Sequence, residues 1–149
     1  MGAEANHWTL ELEKKYIHLF ETIDDPESPM DGQAIRGIEV GDGWERIITR
    51  LLERLEWIRT NNTGKNDVCH SIKIFQFKQK FGDLRAYVRV NASVDFIQNQ
   101  VDNAIAFAEG QCQLTCETCG RVGNPDGSPL TQTKGWISWV CNPCKEKRK

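Results

Sequence analysis

The chain has 149 residues, of which 39% are hydrophobic and 27% charged. That balance fits one folded domain and excludes a disordered chain or one built from bilayer-spanning segments, since no apolar run approaches the ~18–20 residues a span needs. Nineteen basic against twenty-one acidic residues leave a formal charge of −2, which excludes attraction of the whole surface to nucleic acid.

The opening stretch, MGAEANHWTLELEKKY, lacks a basic start followed by an apolar core, so a cytoplasmic location is expected. WTLELEKKYIHLF (8–20) places Trp8, Leu12, Tyr16 and Leu19 near helical spacing, with Thr9 as the expected cap. Residues 24–43 hold prolines, glycines and the aspartates Asp24, Asp25 and Asp31, and read as a long loop, either a functional arm or flexible. The acidic cluster matches neither an EF-hand nor a two-metal spacing. The strongest helical pattern covers 43–64. Trp44, Ile47, Ile48, Leu51, Leu52, Leu55 and Ile58 form its apolar stripe, Arg46, Arg50 and Arg54 a column on the other face, and Gly64 its C-cap.

The period then changes. SIKIFQFKQKFGDLRAYVRV (71–90) predicts a β-hairpin turning at Gly82-Asp83. Leu84, Ala86, Val88 and Val90 should face inward and Arg85, Tyr87 and Arg89 outward, while Ile72 and Ile74 should oppose Phe75 and Phe77. A hairpin alone is marginal in water, so its apolar face must pack on helices. A further helix is predicted over 91–110, capped by Ser93, buried through Val94, Ile97, Val101, Ala104, Ile105 and Ala108, and ending at Gly110 or continuing toward Cys112.

Six cysteines are present: Cys69, Cys112, Cys116, Cys119, Cys141 and Cys144. The last four read Cys116-x2-Cys119, 21 residues, Cys141-x2-Cys144. Each CxxC turn can aim two sulfurs at one ion, and the intervening loop is long enough to bring the turns together. Soft thiolates in a tetrahedral set select zinc, with an iron centre compatible on geometry. Four protein ligands leave no position for water or substrate, so one structural Zn²⁺ is expected. Four thiolates and one Zn²⁺ take the charge to about −4. A redox dithiol is the alternative for either CxxC. Cys112 could replace a ligand on a continuing helix, although the knuckle spacing favours Cys116. Cys69 reads as a small buried hydrophobe.

His7, His18 and His70 lie far from the CxxC pairs in sequence. Cys69 and His70, as strand neighbours, would point to opposite faces. No Walker, dinucleotide, HExxH or GxSxG motif occurs, and no enzyme is expected. The candidate binding surface is Lys73, Arg85, Tyr87 and Arg89 on the hairpin, suited to stacking bases and contacting phosphates. Trp136 and Trp139 flank the second cysteine pair. They are expected to form a miniature core or, if exposed, protein-contact anchors.

Three stretches together resemble a group of small proteins encoded by bacteria and their phages. They are Lys78-Gln79-Lys80-Phe81-Gly82-Asp83-Leu84-Arg85, Cys116-Glu117-Thr118-Cys119-Gly120, and Gly135-Trp136 through Cys141-Asn142-Pro143-Cys144. The likeness spans roughly residues 71–144, and Asp83 stands where the group favours glycine. It implies a bacterial cytoplasmic setting and a phage or prophage origin, with no shared activity to carry over.

The expected architecture is α+β: helices packed on a β-hairpin, with a C-terminal four-cysteine zinc-knuckle, zinc-ribbon-like module. Residues 1–110 form the α+β core with the long 24–43 loop, and 111–149 the zinc-binding module, integrated with that core. The expected role is a zinc-stabilised protein-binding protein, an inhibitor or modulator of a host or defence protein. Nucleic-acid binding or a transcription-associated role through Arg85, Tyr87 and Arg89 is the alternative. No membrane partner is expected.

Overall fold

The computed structural model describes residues 7–20, 37–62, 68–134 and 137–147. It is an α+β fold in which helices pack on a sheet and the four-cysteine segment closes the C-terminal side. In chain order the elements are α1 (His7–Lys15), β1 (Gly37–Glu39), a single 3-10 turn (Asp42–Trp44), α2 (Glu45–Asn61), β2 (Cys69–Lys80), β3 (Asp83–Ala92), α3 (Asp95–Leu114), β4 (Thr131–Gln132), β5 (Trp139–Val140) and α4 (Asn142–Lys147).

The predicted hairpin is the centre of a three-stranded sheet ordered β1-β2-β3. β2 and β3 are antiparallel, with Lys80 opposite Asp83. Phe81 and Gly82 make the turn with φ of 54° and 88°. Positive φ at both central positions matches the right-handed twist of the flanking strands. β3 alternates as expected: Leu84 is buried, Ala86, Val88 and Val90 are half-buried against the core, and Arg85, Tyr87 and Arg89 are exposed.

The expected opposition to Ile72 and Ile74 does not hold for Phe77. The register shifts between Ile74 and Gln76. This bulge inserts Phe75 as an extra residue and resets the alternation. Phe77 therefore lies opposite Ala86 and joins Ile72 and Ile74 in the main core.

The 24–43 loop reading is also corrected over its described part. Residues 37–39 pair in parallel with Gln76–Lys78, and 42–44 form the 3-10 turn. The Asp24, Asp25 and Asp31 cluster and the Gly64 cap lie outside the described residues. The first helix starts at His7, so Thr9 sits buried inside its first turn rather than capping it. It stops at Lys15. Leu19 accepts the Ile74 N–H at 2.6 Å, and Phe20 bridges to Ile74 beside β1 on the same strand.

α2 buries Ile47, Ile48, Leu51, Leu52, Leu55 and Ile58, the predicted stripe. Each fully buried aliphatic side chain contributes ~1.5–3 kcal/mol. α3 packs on both α2 and β3. Ser93 does not cap it: the Ser93 hydroxyl is 2.8 Å from His70 Nε2, and the helix starts two residues later with Asp95 in its first turn. An acid there complements the helix dipole. α3 runs through Gly110 to Leu114, because Cys112 is buried in the main core at its far end.

Candidate metal centre

The first cysteine pair follows α3 directly. Thr115 ends the helix, its hydroxyl donating to the Gln111 carbonyl at 2.8 Å. Cys116 N–H donates to the Arg121 carbonyl at 2.8 Å, and Gly120 N–H to the Cys116 carbonyl at 2.9 Å. These bonds close a tight knuckle that turns both sulfurs the same way. The second pair opens α4: Lys145 N–H donates to the Cys141 carbonyl at 3.0 Å, with Cys144 buried. The one-turn spacing places Cys141 and Cys144 side by side.

The four Sγ atoms lie within 4.8 Å of one another. Cys119 and Cys141 Sγ are 3.7 Å apart. A tetrahedral thiolate site with metal–sulfur bonds of ~2.3 Å requires sulfurs ~3.8 Å apart, so this cluster can coordinate a metal ion. Cys116, Cys141 and Cys144 are buried, and Cys119 reaches solvent. Cys112 is not a fifth candidate: it is fully buried with the α2 and sheet residues, and burial drives its thiol far above the ordinary range. Cys69 lies in the same core.

The sulfurs are not equivalent. Burial pushes the Cys116 thiol up, but backbone N–H groups of Cys141, Cys119 and Thr118 outweigh it and bring the thiol down to about 7. Burial raises Cys119. Burial, followed by hydrogen bonds with Cys141, Cys116 and Cys119, pushes Cys144 up to about 12. A metal must therefore displace protons from Cys119 and Cys144 at neutral pH, and from Cys116 as well once the pH falls through its pKa. Apparent affinity should rise with pH and fall on acidification. In competition with a chromophoric chelator, we expect a loss of about tenfold or more per pH unit below neutrality. A flat profile would show that the thiolates are not the ligands.

The centre is built into the fold. Glu117, between the first two cysteines, accepts the Gly41 N–H at 2.9 Å through Oε2 and the Gln79 amide at 3.0 Å through Oε1. Its carbonyl accepts the Gly43 N–H at 2.7 Å, and its own N–H donates to the Trp139 carbonyl at 2.9 Å. The Trp44 indole N–H donates to the Thr115 carbonyl at 3.0 Å in a buried bond. Gln79 also donates to the Ile137 carbonyl at 2.7 Å. On the other side, the Asn124 side chain accepts the Asn142 N–H at 2.7 Å and donates to the Pro129 carbonyl at 2.9 Å. This buried amide ties the intervening loop to the start of α4.

Sequence reasoning missed Glu117, Gln79 and Asn124. The available signal is the carboxylate of Glu117 beside thiolates. Such a charge is unfavourable there unless its oxygens have donors elsewhere.

The other predicted surface residues stand apart from this centre. Arg89 lies opposite Lys73, Tyr87 opposite Gln76, and Arg85 opposite Lys78, which places this basic set on the outer sheet face. Lys73 Nζ donates to the His18 carbonyl at 3.3 Å. Trp139 does not join them: it is half-buried against the cysteine cluster. Trp136 lies outside the described residues. No helix among the described residues is long and apolar enough to cross a membrane.

No family model, curated protein or solved structure matches the chain.

Proposed function

We propose that this is a small cytoplasmic protein, stabilised by one structural zinc ion, that acts without catalysis by binding another protein. Zinc is the metal best suited to four thiolates in a tetrahedral arrangement. With every position filled by protein sulfur, the ion stabilises the knuckle and leaves no opening for a substrate.

The observation that carries the binding role is on α3. Phe96, Phe107 and Leu114 are exposed at 46%, 69% and 59%. Their separations of 11 and 7 residues are close to three and two full turns, so they fall along one line of the helix. Isolated exposed apolar residues are ordinary, and it is their alignment on one helix line, with Phe107 the most exposed, that supports a contact surface. The likeness of the hairpin and cysteine pattern to small bacterial and phage proteins bears on setting alone; within that setting the role we propose is a phage-encoded inhibitor or modulator of a host or defence protein.

The test is co-purification from bacterial lysate without chelator, together with elemental analysis of the pure protein. We expect one zinc per chain and a stoichiometric protein complex that survives nuclease and is lost in Phe107→Ser. Partners lost on nuclease treatment would instead favour nucleic acid. That second reading is supported by Lys73, Lys78, Arg85 and Arg89 gathering with Tyr87 on the outer sheet face. It requires affinity that falls steeply with salt and weakens in Arg85→Ala/Arg89→Ala.

A further inference from the structure

We infer that the groove between α2 and α3 seats an acidic amphipathic helix of the partner protein. Its apolar side chains enter between the two helices, and its carboxylates meet Arg50 and Arg54. This rests on the protein-binding reading and adds the seat and the partner's chemistry.

The groove has a volume of about 380 Å³ and is open to solvent. Leu51, Ala104 and Ala108 contribute to its floor, and Phe107 stands at its lip, 69% exposed. The alanines leave the room that larger side chains would fill. The lining runs from Ile47 to Arg54 on one helix and from Gln100 to Gln111 on the other. At 1.5 Å per residue these are ~10 and ~16 Å, the length of two to three turns of a docked helix.

Charge selects the occupant. The lining includes Arg50 and Arg54 and no aspartate or glutamate, in a chain whose overall charge is −2. Both arginines are exposed. The Arg59–Glu56 ion pair on the same helix involves neither of them. Arg54 lies over the Trp57 ring at 4.8 Å and also lines the groove. Arg50 and Arg54 are one turn apart, ~6 Å, and carboxylates spaced i, i+4 on a helical partner repeat that distance.

A second copy of this chain fits less well. A two-fold contact through the groove would bring two arginine pairs together with no carboxylate between them, and like charges across an interface are unfavourable. A nucleic-acid backbone would satisfy the arginines but not the apolar floor.

The test uses the zinc-loaded full chain and two labelled helical peptides of about four turns. Both carry leucines at i, i+3, i+7. One has glutamates at i, i+4 on the flank and the other lysines at the same places. Binding is read by anisotropy and mapped by amide NMR shifts. We expect the glutamate peptide to bind about tenfold or more tighter than the lysine peptide, with shifts at Leu51, Ala104, Phe107 and Ala108. Arg50→Glu/Arg54→Glu should reverse that preference while the amide spectrum of the main core is retained.

Equal binding of both peptides, binding of neither, or shifts confined to the outer sheet face would overturn the inference. So would concentration-dependent dimerisation through Phe107, which would make a second copy the occupant. If the lysate complex forms but is indifferent to Arg50→Glu/Arg54→Glu, the groove is wrong while the protein-binding reading stands. If no nuclease-resistant complex forms at all, that broader reading fails.

Discussion

Cys141→Ser is expected to release the metal and unfold the C-terminal layer while the larger core stays assembled. The reason is how small that layer's own apolar cluster is, whatever hydrogen bonds tie it to the rest. Besides Cys116, Cys141 and Cys144, its buried cluster contains Leu130 and Val140, with Trp139 packed alongside. Two aliphatic side chains at ~1.5–3 kcal/mol each cannot offset the ordering of residues 115–134 and 137–147 at ~1–2 kcal/mol per residue. A structural zinc contributes ~10 kcal/mol or more in isolated zinc-finger peptides, enough to decide whether this segment is ordered. A serine oxygen is a poorer donor for the same ion than a thiolate. The main core needs no such help: Leu52, Leu55, Ile58, Ile72, Ile74 and Phe77 are all fully buried there. Elemental analysis should show metal falling from one per chain to near zero. Hydrogen exchange should show protection lost across 115–134 and 137–147 and retained in α2 and β2. Full metal content with unchanged protection would refute the assignment.

Gly43→Ala should lower stability by about 1–3 kcal/mol or more and loosen metal binding, although Gly43 is not a ligand. A β-carbon there would meet the Cys116 carbonyl oxygen at 2.0 Å, the Glu117 carbonyl carbon at 2.6 Å and the Gly120 nitrogen at 2.6 Å. All three are backbone atoms of the knuckle, so no side-chain rotation relieves the contact. Either the 3-10 turn moves off the knuckle, breaking the Gly43 N–H bond to Glu117, or the knuckle deforms and spreads its sulfurs. Gly110→Ala is the matched control. Nothing lies within 4 Å of its added β-carbon, and an alanine inside a helix is favoured over glycine by ~0.5–1 kcal/mol. Thermal melts and chelator competition on the two variants should move in opposite directions for stability and diverge for metal retention. Equal behaviour would mean that the knuckle does not rest on the turn before α2.

The features readable from the sequence are those written in short-range spacing. The α2 stripe, the β3 alternation and the paired cysteines each repeat within a few residues, and the structure places them accordingly. The features that escaped depend on partners far along the chain. β1 is three residues long and exists through parallel pairing with β2, which no local pattern announces. The bulge at Phe75 reversed the facing of Phe77 because a single inserted residue is invisible to a period-two reading. Ser93 looked like a cap by type but is engaged by His70. Cys112 looked like a ligand neighbour by number, yet α3 carries it into the main core before the knuckle begins. Among the metal residues the ligands were legible and their supports were not, since Glu117 acts on Gly41 and Gln79 across long stretches of chain.

That distance has a consequence for how the molecule is made. The Trp44–Thr115 and Gly41–Glu117 bonds span 71 and 76 positions. A chain leaving the ribosome presents α2 and its tryptophan long before the knuckle exists, at ~5–20 residues per second. During that interval the indole has no carbonyl to donate to, and the edge of β2 is waiting for a turn that the knuckle braces. Capture of an ion by the four sulfurs must await Cys144, so under the zinc reading it comes after α2 is made and braces the segment to which the start of α2 is fastened. If the ion is zinc, as proposed, chains made without it are expected to show a formed core and an unfastened start to α2.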